Sequence, residues 1–242
     1  VALYTLDEDT LAALEPDLIV TQALCDVCAV AEAEVAAAAC RLAGQPRVLN
    51  LEPMTLRAVL NSIRTVGQAT DLAAEADAVV ERLEARIEAV KRRVAGRSRP
   101  RVALLEWLDP PFSCGHWNPE LVEIAGGREV VGQAGEQSRT LAWREVVEAA
   151  PEVIVIACCG FEPERALEDI GVFAQVAGWA SVPAVRTGRV YVVDGSGLFA
   201  RAGPRLVESA ELLAHLLHPD VQPLPEGVFA PVRLAAETLA AA

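Results

Sequence analysis

Two stretches of this chain, 135 positions apart, carry the same pattern. Leu11-Ala-Ala-Leu-Glu-Pro-Asp-Leu-Ile-Val-Thr-Gln22 and Val146-Val-Glu-Ala-Ala-Pro-Glu-Val-Ile-Val-Ile-Ala157 each read as a short helix stopped by proline, an acidic residue, then a continuous apolar run. Runs of that kind form parallel strands buried on both faces. A second pair, Arg47-Val-Leu-Asn-Leu51 and Arg189-Val-Tyr-Val-Val193, follows at an offset of 142, again strand-like and again followed by a helix. Repetition of strand and helix in one order implies two lobes of the same build.

Between the repeats, Leu72, Ala76, Val79, Leu83, Ile87, Val90 and Val94 recur every three or four residues, while Glu81, Glu84, Glu88, Arg92 and Arg93 fill the other face. This predicts one amphipathic helix from Thr70, its N-cap, to Val94, stopped by Gly96. At 1.5 Å per residue it spans roughly 37 Å, enough to brace both lobes. The expected fold is therefore α/β, two Rossmann-like lobes joined by one long α-helix. Residues 1–69 form the first lobe, 70–96 the helix, 97–219 the second lobe and 220–242 a loose tail. The second lobe opens with the strand Val102–Trp107, the loop Leu108–Asn118 and a helix Pro119–Ala125 closed by Gly126-Gly127. Its counterpart would fall before Val1. The N-terminal lobe is thus expected to lack its first strand and helix, on the order of 40 to 60 residues, and the open sheets could pair edge to edge in a homo-oligomer.

Five of the six cysteines lie where a strand pattern gives way to a loop: Cys25, Cys28, Cys114, Cys158 and Cys159. In an open α/β sheet such loops border the ligand crevice. Cys40, inside an alanine-rich helical run, is expected in the core. Trp107, His116, Trp117, Phe161 and Phe199 also fall at or beyond strand ends, and aromatic side chains there suit a broad flat ligand. Pro110, Pro111, Gly115 and Pro119 fix the loop that presents His116 and Trp117. Cys25 and Cys28 have metal-ligand spacing, which with Cys114 and His116 gives a candidate metal set. The same cysteines read first as small buried residues at strand ends, and last as a redox dithiol. Trp143 and Trp179 sit in helical patterns and are expected in the core, and His215 and His218 close the Pro204–Leu217 helix.

The net charge is −13 and Lys91 is the only lysine, which excludes nucleic-acid binding through a basic surface. No apolar run approaches the roughly 20 residues of a membrane span, and the chain shows no secretion pattern. No nucleophile elbow, P-loop or G-x-G-x-x-G follows a strand, so nothing points to an enzyme or to a required cofactor.

Taken together, Leu-Glu-Pro-Asp-Leu-Ile-Val (14–20), the bracing helix, Pro110-Pro-Phe-Ser-Cys-Gly-His-Trp117 with Gly126-Gly127, and Phe199-Ala-Arg-Ala-Gly-Pro-Arg205 resemble the helical-backbone class of periplasmic substrate-binding proteins. Within it the chain is most similar to the group that binds cobalamin, iron-siderophores and haem. The resemblance implies a corrinoid or related metal-chelate ligand held between the lobes with little hinge motion, and delivery to an ABC transporter permease. It implies the periplasm or cell envelope, while the sequence itself leaves the compartment open, the cytoplasm included. The ligand-binding set is Gln22, Cys25, Cys28, Trp107, His116, Trp117, Cys158, Phe161 and Phe199. An acidic docking residue of that group is replaced by Ala200, and two of its cleft tryptophans by Gln22 and Leu198. A cysteine-based metal or thiol redox protein, and a binding fold that has lost its ligand, are the rival readings.

Overall fold

The structure, a computed structural model, describes residues 5–22 and 30–235. In chain order it holds α1 (Glu8–Ala13), β1 (Leu18–Gln22), α2 (Glu32–Arg41), β2 (Arg47–Leu51), α3 (Leu56–Ala69) and α4 (Ala73–Val94). The larger part follows: β3 (Arg101–Leu108), β4 (Pro111–Ser113), α5 (Asn118–Ile124), β5 (Arg128–Glu129), α6 (Trp143–Glu148) and β6 (Val153–Ile156). It ends with α7 (Pro163–Leu167), α8 (Pro183–Arg186), β7 (Val190–Val192), α9 (Leu206–Leu217) and β8 (Val232–Leu234).

The two parts are unequal. β1 and β2 form a two-stranded parallel sheet, with Leu18 opposite Arg47 and Gln22 opposite Leu51. Neither strand has a buried residue, and Val20 is 47% exposed. Their cover is α2, which buries Val35, Ala38 and Ala39 at i, i+3 and i+4. Cys40, expected in the core, is exposed because it lies one step round from that stripe.

In the larger sheet β3 pairs parallel with β6, and β6 with β7. Their continuous apolar runs are covered on both faces, as parallel strands require. Val102 and Leu104 of β3 join Val153 and Val155 of β6 in one core with α3, α4, α5 and α9. Ala103, Leu105, Ile154 and Ile156 face the opposite way, onto Phe173, Trp179 and Val185. Trp179 is buried as expected, stacked on Phe173 at 4.2 Å between ring centroids, with Trp143 half-buried edge-on beside them.

The expected long helix is present as α4, but it does not begin at Thr70. Thr70 caps the C-terminus of α3, and α4 starts at Ala73 with Leu72 as its N-cap residue. Asp71 takes a positive φ of 58° in the turn between α3 and α4. The two helices meet at Gly67, where an added Cβ would come within 2.4 Å of the Ala76 methyl. α4 buries Val80, Leu83, Ile87 and Val90, and α3 buries Leu56, Val59 and Leu60, all in the core shared with the larger sheet.

Two segments expected to be irregular are strands. β4, inside the loop 108–118, pairs antiparallel with the end of β3. β8, inside the 220–242 tail, pairs antiparallel with β7, and Leu234 is buried. Three alternating residues among prolines are too short a signal to read as a strand, and pairing supplies what propensity does not.

Candidate functional site

The carboxyl ends of β3, β6 and β7 open onto the loops 109–117, 157–162 and 193–205. Glu106, the one charged residue inside β3 after Arg101, organises the first of them. Its carboxylate accepts hydrogen bonds from Asn118 Nδ2 at 2.8 Å, Ser138 Oγ at 2.6 Å and the Gly115 amide at 3.4 Å. Segment 111–116 is laced to segment 135–141: Ser113 N donates to Arg139 O, His116 N to Glu136 O, and Gly135 N to His116 O. His116 is held there with φ +52°, a conformation that costs a non-glycine residue energy and that the lacing imposes. Its Nε2 is buried and has no hydrogen-bond partner.

Beside this loop, Trp107 and Phe161 form a half-buried aromatic shelf, ring centroids 4.7 Å apart and planes tilted by 51°. Trp107 Nε1 donates to Asp109 O at 3.1 Å, which fixes the indole. The Arg165 guanidinium lies 4.4 Å from the Phe161 ring centre and pairs with Asp169 at 2.9 Å. A cation over a ring face adds electrostatic attraction to the shelf.

The other expected site residues divide by depth. Trp117 and Phe199 are core residues, and the Trp117 indole N–H donates to Phe199 O at 3.1 Å, which ties the first loop to the third. Cys158 is buried as well, its thiol pushed up to about 12 by burial. Burial also raises the Cys114 thiol, with the carboxylates of Glu129 and Glu106 adding to the effect. Cys114 belongs to the core on the α4 side of the sheet and Cys158 to the core on the other, so the sheet separates them. Cys159 is exposed. Among the described residues no three His, Cys, Asp or Glu side chains are grouped to hold a metal. Cys25 and Cys28 lie outside the described residues, and Gln22 ends β1, half-buried.

The link from β2 to α3 brings the smaller unit to the same corner. A methyl group on Gly135 would lie 3.8 Å from Thr55 Cγ2, and Glu120 of α5 accepts a hydrogen bond from the Leu56 amide at 2.6 Å. A groove of about 910 Å³ lies beside this contact, between α3, α4, α5 and segment 129–134; Leu56 and Glu120 line it, and none of the expected ligand residues does. At its edge the Glu129 carboxylate collects the amides of Val130, Val131 and Gly132 on one oxygen and that of Leu104 on the other.

A family model described as periplasmic binding protein matches residues 4–196 of the 242. The chain belongs to the periplasmic binding protein family. Solved structures share its fold. An ABC transporter substrate-binding protein from Listeria monocytogenes aligns with a TM-score of 0.73 at 20% identity, over 88% of this chain and 81% of that one. A periplasmic heme-binding protein from Pseudomonas aeruginosa aligns at 0.72 and 20% identity, over 96% and 83%. An ABC-type Fe3+-hydroxamate transport system protein from Saccharomonospora viridis aligns at 0.66 and 21% identity, over 89% and 73%. No curated protein matches the chain.

Sequence reading expected Trp107, His116 and Phe161 to line a crevice and did not single out Glu106, which holds the 111–118 loop, or Arg165, which lies over the Phe161 ring. Glu106 had a signal, a carboxylate inside a strand otherwise apolar from Val102 to Leu108, since such a group needs donors. Arg165 had none, because its role depends on how far α7 folds back over Phe161.

Proposed function

We propose that the chain is a solute-binding protein for a broad metal chelate, a haem, ferric siderophore or corrinoid, which it hands to an ABC transporter permease. The carrying observation is the Trp107–Phe161 shelf, two half-buried rings at the carboxyl end of the sheet in a family whose members bind solutes. Flat apolar rings stack on such a shelf, and a peripheral carboxylate of the ligand finds Arg165 at its rim. His116 and Gln22 border the space between the two units, while Trp117, Phe199 and Cys158 support it from the core. The names of the structural relatives, which include heme and Fe3+-hydroxamate proteins, favour this ligand class. A single metal shared by Cys114 and Cys158 is disfavoured, because the two sit on opposite faces of the sheet.

Titration of the protein with hemin, cobalamin and a ferric trihydroxamate siderophore, followed by absorbance and calorimetry, tests the reading. At least one is expected to bind, and Trp107→Ala is expected to weaken it roughly tenfold. Absence of any spectral or calorimetric change with all three leaves a fold that has lost its ligand.

A further inference from the structure

Six of the chain's 21 lysines and arginines stand within eleven residues, Lys91-Arg-Arg-Val-Ala-Gly-Arg-Ser-Arg-Pro-Arg101, a run without an acidic residue in a chain of net charge −13. A basic last turn complements the carboxyl end of α4, which accounts for Lys91, Arg92 and Arg93. It does not account for Arg97, Arg99 and Arg101, which lie beyond the helix. The fold adds a seventh cation, because β5 runs parallel to β3 with Arg128 opposite Arg101. Like charges side by side on neighbouring strands repel, and an anion in front of them relieves the repulsion. Contacts join the group. Lys91, Arg97 and Arg99 line one depression of about 210 Å³ with Gly96 and Gly126, and Arg99 donates to Gly127 O, next to Arg128. Four carboxylates touch the group: Glu88 on Lys91, Asp220 on Arg97, Glu123 on Arg99, and Glu152 on the Arg101 amide. The side-chain ion pairs among these are exposed and hold little energy. Arg93 donates to Gln222 Oε1 and Arg101 to Ala149 O. Arg92 and Arg128 are exposed and make no ion pair among the described residues.

We infer that this basic end is a docking surface for an anionic phospholipid bilayer. Arg101 and Arg128 open their strands, so the surface lies at the amino end of the large sheet, whereas the crevice loops leave the carboxyl ends. The eight residues of β3 hold the two apart by roughly 23 Å, at about 3.3 Å per residue. A bilayer is favoured over a protein partner by what the surface lacks. Protein interfaces are anchored by aromatic and apolar side chains, and the exposed large apolar residues among those described, Leu14, Val20, Leu72 and Phe229, all lie outside the run. Val94 and Pro100 are buried, and the other uncharged positions are Ala95, Gly96 and Ser98, so the cationic groups stand foremost. Clustered lysines and arginines meet a plane of headgroup phosphates without a shaped partner. The acidic remainder of the chain is repelled by the same plane, so docking orients the molecule with its crevice outward. Neither the surface nor its test rests on the ligand proposed above.

Co-sedimentation of the ligand-free chain with phosphatidylcholine vesicles, with and without phosphatidylglycerol, decides it. Binding is expected to the phosphatidylglycerol vesicles alone, at low ionic strength, and is lost in about 1 M salt, where the screening length is about 3 Å. Arg92→Gln and Arg128→Gln, at exposed side chains that hold no backbone carbonyl, each weaken it about fivefold, the effect of one cation near an anionic surface. R201Q removes a positive charge from the exposed loop at the other end of the sheet and leaves binding unchanged. Equal binding to both kinds of vesicle, binding to neither, or a loss in R201Q as large as in R92Q overturns the inference. Displacement by inorganic phosphate beyond that of chloride at matched ionic strength marks a small-anion site and overturns it too. Retention on immobilised polyglutamate without vesicle binding marks an acidic polypeptide partner instead of a bilayer. Failure of the chain to bind hemin, cobalamin or a siderophore leaves the surface standing.

Discussion

At the scale of single residues, the two carboxylates around the 111–141 lacing do different work. Glu106 accepts from three donors in two segments and holds a loop in shape. Glu129 accepts from four backbone amides, which favour its charged form, yet burial outweighs them and raises its carboxyl from 4.5 to about 7. Its folded form therefore holds a proton through a range where the unfolded chain has released it. The stability this contributes is complete below about pH 4.5 and is lost as the pH rises through about 7. The carboxyls of Asp7, Glu88 and Glu145 are shifted the other way, so their contributions fade only on the acid side of that window. Urea unfolding between pH 5 and 8 is expected to show a falling midpoint, and Glu129→Gln to flatten it. A midpoint equally steep in the variant would assign the slope to other groups.

At the scale of elements, legibility in the sequence followed the length of the apolar signal. β1, β2, β3, β6 and β7 were readable because each is a run of apolar residues with a repeat partner or an adjoining loop of turn-formers. α3 and α4 were readable as a helix after β2 and a long amphipathic helix, but the boundary was not, since Thr70 caps the C-terminus of α3 and Leu72 precedes α4. β4 and β8 carry three residues each and exist through their neighbours. β8 nevertheless closes one end of the sheet, and Leu234 fills the core beneath α8. Leu234→Ala should cost about 2–3 kcal/mol in urea unfolding, a buried leucine truncated at an edge where some collapse is possible. A cost below about 0.5 kcal/mol, the level of surface substitutions, would mean that 220–235 is an appendage after all.

At the scale of the whole molecule, the internal repeat is real in sequence and unequal in packing. β6 and β7 have cores on both faces, whereas their counterparts β1 and β2 have no buried residue and one helix for cover. Stability is distributed accordingly, because local opening costs least where few apolar contacts are lost. Native-state hydrogen exchange should find the amides of Thr21 and Leu49 opening at far lower free energy than those of Val155 and Ile156, which exchange only on global unfolding. Equal protection in the two sheets would show a single cooperative unit. The strand-end loops were legible, because strand ends can be read from a sequence, but the depth of a side chain cannot. Trp117 and Phe199 occupy the same strand-end positions as Trp107 and Phe161 and are buried because the 111–141 lacing and the start of α9 close over them.

The pairing of β3 has a consequence for life at high concentration. Its outer edge is tiled by two short strands, β5 parallel along Arg101 and Val102 and β4 antiparallel along Leu105 to Leu108. At the opposite end, three-residue β8 caps β7. Neither border of the large sheet offers a long run of unpaired backbone, so it cannot template the addition of another chain. In the small sheet β1 is paired with β2 alone among the described residues, and both strands are short and lack a buried residue, so heat- or crowding-driven aggregation is expected to nucleate there while the large sheet is still folded.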